Sequence, residues 1–548
     1  MGNKHPHAGA GVSHCTHRET ILITRVEQTV CQKCVDLGDT WVNLRLCSQC
    51  GNVGCCEDSK NRHALQHYRE GGHPIIKNLA AHPPWLWWCY PDQIALPLDG
   101  DGDPAPVSID GFDLRFSRQR IQQSYSLLSA GIGLSASLVW GIQTLFLLQA
   151  GLDIFSVFVI SGIFNASLAI SQIPAGVLTD TRGRRSIFLL GIFLMLIASL
   201  GYLPAAASSG NLSWLGIVTV ILALGFSCSR GALDAWFVDA LKTIDEQRST
   251  QTIKLQSRRA VSALMVAGAL TGGLLANYSY NLAYISRSGL LLASLVYAGL
   301  AIRDLGFNPR KIKPSRLPQE MVETTRQVLY TGWRNLPLRK VTLVSLLPTT
   351  AFFWSFHAWQ PHLLALLGTE RIWVVGIIGA LAVLAVLAGN RLAGDDAPPA
   401  SRSSILESGT LLILVGTLVG VGLMRSFGPA VGLFLLSLAA SGVLQTIHRA
   451  RLNDAARPVD PAGVFAFDWT VTRAASAFAL PILGCLARTA SIGTSFVVIG
   501  ALALLASLWY RSQQQPGKAK EPGIDASLAE SEAPARAQPG ATVMDGPW

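Results

Sequence analysis

The chain has 548 residues, half of them hydrophobic and only 14% charged, with a mean hydropathy of +0.36. A soluble domain carries about 25% charged residues, so the deficit excludes an ordinary soluble protein and predicts an integral membrane one. The net charge of +10 would suggest nucleic acid in a soluble chain. Here most basic residues lie between apolar runs, so membrane topology accounts for them and no nucleic-acid partner is expected.

Residues 1–13 read as a flexible tail. MGNKHPHAGAG is polar, lacks the apolar core of a secretory signal, and has no Ser or Thr at the sixth position to support myristoylation. Residues 14–92 are rich in Cys, His and Trp. Eight of the ten cysteines lie before residue 90, interleaved with histidines, which is metal-ligand arithmetic rather than a disulfide framework. The ligand candidates are Cys15 and His17, the pairs Cys31-x-x-Cys34 and Cys47-x-x-Cys50, then Cys55, His63, His67, His73 and Cys89. Thiolate and imidazole are the ligands that tetrahedral zinc prefers, so two to three zinc ions are expected. His63 and His67 are four apart and share one face of a helix. Thiolate sites need a reducing compartment.

Residues 93–123 carry Pro, Gly and Asp, then basic residues, and read as a linker ending at a membrane surface. From 124 to 510 the chain is a series of twelve apolar runs, each long enough for a helix of ~20 residues to span a bilayer. Residues 511–548 are polar and Pro/Ala-rich, a disordered tail.

Sidedness follows from Lys and Arg in alternate loops. One set holds Arg182, Arg184 and Arg185, then Lys242 to Arg259, Arg303 to Lys340, Arg391 and Arg402, and Arg449, Arg451 and Arg457. The other holds single arginines such as Arg371, Arg425 and Arg488. Both termini are therefore expected in the cytoplasm of a multi-pass protein of the plasma (inner) membrane, surrounded by membrane lipid. The basic segment 304–340 divides the spans into two six-helix halves, 124–303 and 341–510. The expected fold class is an all-α polytopic membrane protein with twelve transmembrane helices, preceded by a small α+β zinc-binding domain. No nucleotide-binding loop occurs in the sequence, and no enzymatic activity is expected.

Ionisable residues inside a span are costly, so each is a functional candidate. The fourth span carries Arg230 and Asp234, four apart on one face and able to neutralise each other, with Asp239 nearer its end. Asp234 is the proton-coupling candidate, since desolvation raises a carboxyl and Arg230 opposes that. The seventh span packs Trp354 and Trp359 around His357, as a pocket for an apolar or aromatic substrate or as faces toward lipid and neighbouring helices. Asp468 and Arg473 enter the eleventh span, and Arg473 is deep enough to need a partner or an aqueous cavity. Asn165 and Gln172 are accounted for by helix–helix hydrogen bonding.

The decapeptide GVLTDTRGRR, Gly176 to Arg185, closes the second apolar run and opens the third as a tight surface turn, with Gly176 allowing close helix approach. Its spacing resembles the G-x-x-x-D-(R/K)-x-G-R-R signature of the major facilitator superfamily, with Thr181 after Asp180 and the positive charge one place later at Arg182. Gly176, Asp180, Arg182, Gly183, Arg184 and Arg185 form that loop. The resemblance implies two six-helix halves around a central site, pairing of Asp239 with Arg182 or Arg184, and a cavity lined by spans one, four, seven and ten. Gln143, Arg230, Asp234, Trp354, His357, Trp359 and Gln445 are the candidates there, with Arg473 beside them.

The order LRLCSQCGNVGCC, RHALQHYREGGHP and WCY resembles the UBP-type zinc finger of ubiquitin-specific proteases. That likeness implies three ligand groups. Cys15, His17 and Cys89 go with Asp92, where the family usually has Cys. Cys31, Cys34, Cys55 and His63 form the second group. Cys47, Cys50, His67 and His73 form the third, and Cys56 is left over. Members of the family grip the carboxyl end of ubiquitin. Trp88 and Tyr90 match the aromatic positions, but the arginine that meets the carboxylate is replaced by Glu57, which repels one.

The reading is a secondary active transporter, with proton-coupled efflux of a small organic molecule leading, and a cytosolic finger that recognises a protein or peptide. Two rivals stand beside it: a membrane-anchored finger that recruits a cytosolic protein terminus, and uptake of an anionic metabolite.

Overall fold

The computed structural model describes the chain from Cys15 to Gln514, apart from residues 16, 18–19, 25, 27–29, 80–86, 97–117, 207–209, 245–249, 305–306, 308–309, 311, 369–370, 395–399 and 457–460. The expected tail 1–13, residues 515–548 and most of the 93–123 linker lie outside the described residues. The chain divides into two compact units, residues 1–120 and 121–548.

The first unit is a five-stranded antiparallel sheet with two short helices, α1 (Gln32–Asp36) and α2 (His63–Gly71). Its strands are β1 (Leu44–Cys47), β2 (Val53–Cys55), β3 (Ile75–Asn78), β4 (Trp87–Cys89) and β5 (Ile94–Ala95), in the spatial order β2-β1-β3-β4-β5. Strand β5 pairs Ile94 with Cys89, so the sheet runs past the expected boundary at residue 92. The apolar core is small. Leu46, Ile75, Ile76 and Trp87 are buried, too little apolar surface to hold a domain of this size alone. Metal ligation is the expected supplement.

The second unit is helical. It opens with α3 (Arg118–Trp140) and α4 (Gln143–Gln149), which are bent by 45° at the break between them. Then come α5 (Ile154–Arg182), α6 (Arg184–Tyr202), α7 (Leu212–Ile244), α8 (Thr250–Tyr278) and α9 (Tyr280–Ala301). The segment 304–340 is more than a linker. It holds α10 (Leu317–Arg334), with only Gly332 buried, and the next helix has already begun before residue 341. The remaining helices are α11 (Leu336–Leu367), α12 (Trp373–Ala393), α13 (Ala400–Leu423), α14 (Phe427–Ala456), α15 (Pro461–Thr489) and α16 (Ile492–Gln514).

Ten helices among the described residues are long and apolar enough to cross a membrane, and the bent pair α3–α4 makes eleven. The twelfth expected position falls on α16, whose apolar part Ile492–Leu505 is shorter. The first span breaks at Gly141 and Ile142, between α3 and α4, in an apolar run that by composition alone reads as continuous.

The GVLTDTRGRR stretch is not a loop. Arg182 ends α5, Arg184 begins α6, and only Gly183 lies between. Gly183 has φ +101°, a conformation that side chains rarely adopt. Gly176, expected at a close helix approach, has nothing within 4 Å of where a Cβ would sit. The close approach lies elsewhere. A Cβ on Gly273 of α8 would stand 2.4 Å from the Cα of Gly376 on α12, a small-residue crossing of the kind membrane helices use.

Candidate functional site

Three Cys/His/Asp groups gather in the first unit, each with its ligand atoms within 4.8 Å of one another. They are Cys31, Cys34, Cys55 and His63; Cys47, Cys50, His67 and His73; and Cys15, His17, Cys89 and Asp92. His63 Nδ1 lies 3.3 Å from the sulfurs of Cys31 and Cys34 and 3.5 Å from that of Cys55. Tetrahedral ligands at ~2.0–2.3 Å from zinc stand roughly 3.5 Å apart, so the donors fit one ion. Helix α2 presents His63 and His67 on one face, and His73 follows the Gly72 turn at φ +67°. His67 then lies 3.1 Å from Cys50 and His73 lies 3.5 Å from Cys47.

At the third group His17 Nδ1 is 3.1 Å from Asp92 and 3.7 Å from Cys89. The His17 ring holds the Asp92 carboxyl below the usual carboxylate range. Burial pushes the Cys15, Cys47 and Cys89 thiols up, so thiolates at these positions need a cation beside them. The leftover Cys56 is buried against Ser59, its sulfur 3.3 Å from the hydroxyl.

Glu57 is engaged within the finger. Its carboxylate accepts a hydrogen bond from the Tyr90 hydroxyl and lies 3.6 Å from Nε of the buried Arg45. Tyr90 stacks on Tyr68 at 4.7 Å, and burial followed by the Glu57 charge pushes its hydroxyl up. Trp88 is half-buried on β4, opposite Ile76 and Ala95.

In the second unit one end gathers the basic residues. Arg184 bonds Asp239 of α7 at 3.0 Å and also contacts Asp180. Arg185 donates to the Gly299 carbonyl of α9, and its backbone N–H meets Asp304 at 2.8 Å. Of the expected pairings for Asp239, Arg184 is therefore the partner found. Arg182 is exposed.

The central cavity lies between the two halves and encloses about 170 Å³. Gln143, Arg230, Asp234, His357 and Arg473 all line it, as do Asn165 and Gln172. The Tyr125 hydroxyl donates to Asp234 at 2.7 Å. Arg473 is 6% exposed. Its guanidinium lies 4.1 Å from the Phe353 ring centre and 4.2 Å from that of Trp469, and it donates to Asn165 of α5 at 3.0 Å. Asn165 is thus both a helix–helix tie and a cavity residue.

Trp354 and Trp359 are not cavity residues. Trp354 stacks on Phe158 at 4.3 Å and Trp359 on Phe434 at 5.4 Å, both fully buried. Helical phase explains this. Phe353, Phe356 and His357 are three and four apart and share the cavity face, whereas Trp354 is turned about 100° away. Gln445 lies in a second chamber of about 160 Å³, which shares Phe353, Trp469 and Arg473 with the first. In that chamber His448 meets Asp468 at 3.0 Å, the Thr342 hydroxyl bonds the other Asp468 oxygen at 2.8 Å, and Glu407 contacts Arg451.

Arg287 was missed by the reading of spans. It lines the central cavity at 3% exposure, and a lone arginine within the apolar run NLAYISRSGLLL was the available signal. The cavity's charged lining is then three arginines against one aspartate, Asp234. Away from the basic residues, α3 and α4 are tied to α11. Gln360 donates to the Trp140 carbonyl at 3.0 Å and accepts from the Thr144 N–H at 3.0 Å, and the Thr144 hydroxyl bonds the His357 carbonyl at 2.9 Å.

Two helical halves around a central cavity are the architecture of a secondary transporter. The sequence model of the Major Facilitator Superfamily matches residues 125–467, and the chain belongs to that superfamily. A second model, described as a Zn-finger in ubiquitin-hydrolases and other proteins, matches residues 31–96. No curated protein matches the chain. Among solved structures, a nucleoside transporter is similar with a TM-score of 0.59 at 10% identity, covering 72% of this chain and 100% of its own. A POT family transporter in complex with 5-aminolevulinic acid has a TM-score of 0.56 at 13% identity, covering 71% and 95%. A human organic anion transporter has a TM-score of 0.53 at 15% identity, covering 71% and 98%. At these identities the likeness is one of fold.

Proposed function

We propose that the second unit moves a small organic anion with an apolar or aromatic body across the membrane by alternating access. Arg473 carries this reading. Its guanidinium stands between two aromatic rings in the central cavity, and no carboxylate pairs with it among the described residues. A desolvated cation is stabilised by an incoming anion, and the flanking rings suit an apolar body. An excess of positive charge in the cavity favours the anion over the export of a cation.

Asp234, held by the Tyr125 hydroxyl in the same cavity, is the group we assign to proton coupling. The basic end, the finger and both termini are assigned to the cytoplasmic side, following the loop charges. The finger is a zinc-stabilised module, and Glu57, already engaged by Tyr90, weighs against capture of a ubiquitin carboxyl end.

The test is uptake into proteoliposomes of matched aromatic anions and cations. R473Q should lower anion flux by tenfold or more and leave any cation flux unchanged. Equal loss of both, or transport of cations alone by the unmodified protein, overturns the reading.

A further inference from the structure

We propose that the substrate is a dianion, and that Arg287 is the second anchor that selects it. This rests on the anion reading above and narrows it to a chemical class. Three observations support it.

The first is the state of the Arg287 side chain. It is almost wholly buried, its Nε has no hydrogen-bond partner, and it forms no ion pair with any described residue. Tyr284, one turn earlier on α9, has a fully buried hydroxyl that is likewise unpartnered. A guanidinium and a phenol taken out of water without an acceptor are among the costliest groups a fold can hold. Of the two, Arg287 lines the cavity, where an anionic oxygen can supply the acceptor it lacks.

The second is place. Arg287 lines the same cavity as Arg473, but from the other half of the protein: α9 belongs to the first six helices and α15 to the last. A ligand with two negative groups can meet one arginine from each half, whereas a monoanion satisfies one and leaves the other unpaired. Such bridging favours closure of the halves around the ligand only when both charges are present.

The third is the charge balance. Asp234 can offset one of the three cavity arginines, and Arg230 is its neighbour one turn away on α7. Two positive charges remain, matching the charge of a dicarboxylate or a phosphate monoester.

The experiment uses the purified full-length protein in detergent, melted alone and with benzoate, terephthalate or phenyl phosphate at equal concentration. The unmodified protein should be stabilised more by the two dianions than by benzoate, with an affinity gap of at least tenfold. R287Q and R287M should keep the benzoate response, lose the dianion advantage, and melt at the same or a higher temperature without ligand, because an unpaired buried charge has been removed. R473Q should lose the response to all three. The proposal is overturned if R287Q and R287M melt lower without ligand or fail to fold, which makes Arg287 structural, or if they keep the dianion advantage. If the unmodified protein responds to benzoate as strongly as to the dianions, this inference fails while the anion reading stands. If none of the three shifts it, the anion reading fails as well. A response to phenyl phosphate without terephthalate overturns the bridging of the two halves by separate anionic groups.

Discussion

The two units are stabilised by opposite means. The finger has a small apolar core and twelve donor atoms placed for metal, so its polar residues make the structure. The transporter unit has a large apolar core, and its buried charged residues work against the structure. Arg287 forms no ion pair with any described residue, and Arg473 is held by Asn165 and two aromatic rings rather than by a carboxylate. A polar residue in the finger is therefore structural by default, and one inside the helical bundle is functional by default.

The largest effect that would break this contrast lies in the finger. Structural zinc contributes about 10–16 kcal/mol in finger peptides. Stripping zinc with a chelator should unfold residues 15–96 while the helical unit keeps its melting temperature and flux, as followed by tryptic digestion and transport. C34S should act at one site in the same way. A finger that keeps its fold after chelation would contradict the ligand assignment. Acidification should release zinc too, because the ligands must lose protons to bind.

Packing within the transporter comes next. Leucine in place of Gly273 would be forced into Gly376 of α12, and overpacking of this kind costs about 1–3 kcal/mol. G273L should lower the melting temperature and flux together, whereas G176L, with open space around it, should change neither. Equal damage from both would remove the argument from close approach.

A smaller effect sharpens the assignment of roles. D239N removes the Arg184 partner at the basic end and should cost about 1 kcal/mol of stability, the upper end for a surface pair, since this one is largely buried. D234N should leave counterflow intact and abolish accumulation driven by a pH gradient. If gradient-driven uptake survives D234N, the proton assignment fails and the anion assignment stands. The smallest change is E57A in the finger, which frees the Tyr90 hydroxyl and should leave zinc content unaltered.

The metal groups were legible before the structure because Cys and His at CxxC and four-residue spacings bring their own geometry. The twelve candidate donors gather in the groups that the family resemblance implied. The helical spans were legible for a similar reason, since apolar length is a local property. The cavity was legible only in part. Which side of α11 faces inward depends on how it packs against α3 and α5, so His357 was found while Trp354 was placed in the cavity instead of against Phe158. Arg287 was overlooked in a span whose neighbours were judged apolar. The break at Gly141 and the helix α10 escaped because hydropathy registers span length and not bends, and because an amphipathic surface helix resembles a basic linker in composition.

The central claim is that the cavity receives a negative charge and passes it across the membrane. It is tested most directly by recording charge movement in proteoliposomes on a solid support, with potassium terephthalate jumped onto the protein. The account predicts a transient whose sign reports inward negative charge in the unmodified protein and no transient in R473Q. A transient of the opposite sign, or one that R473Q leaves intact, would contradict it.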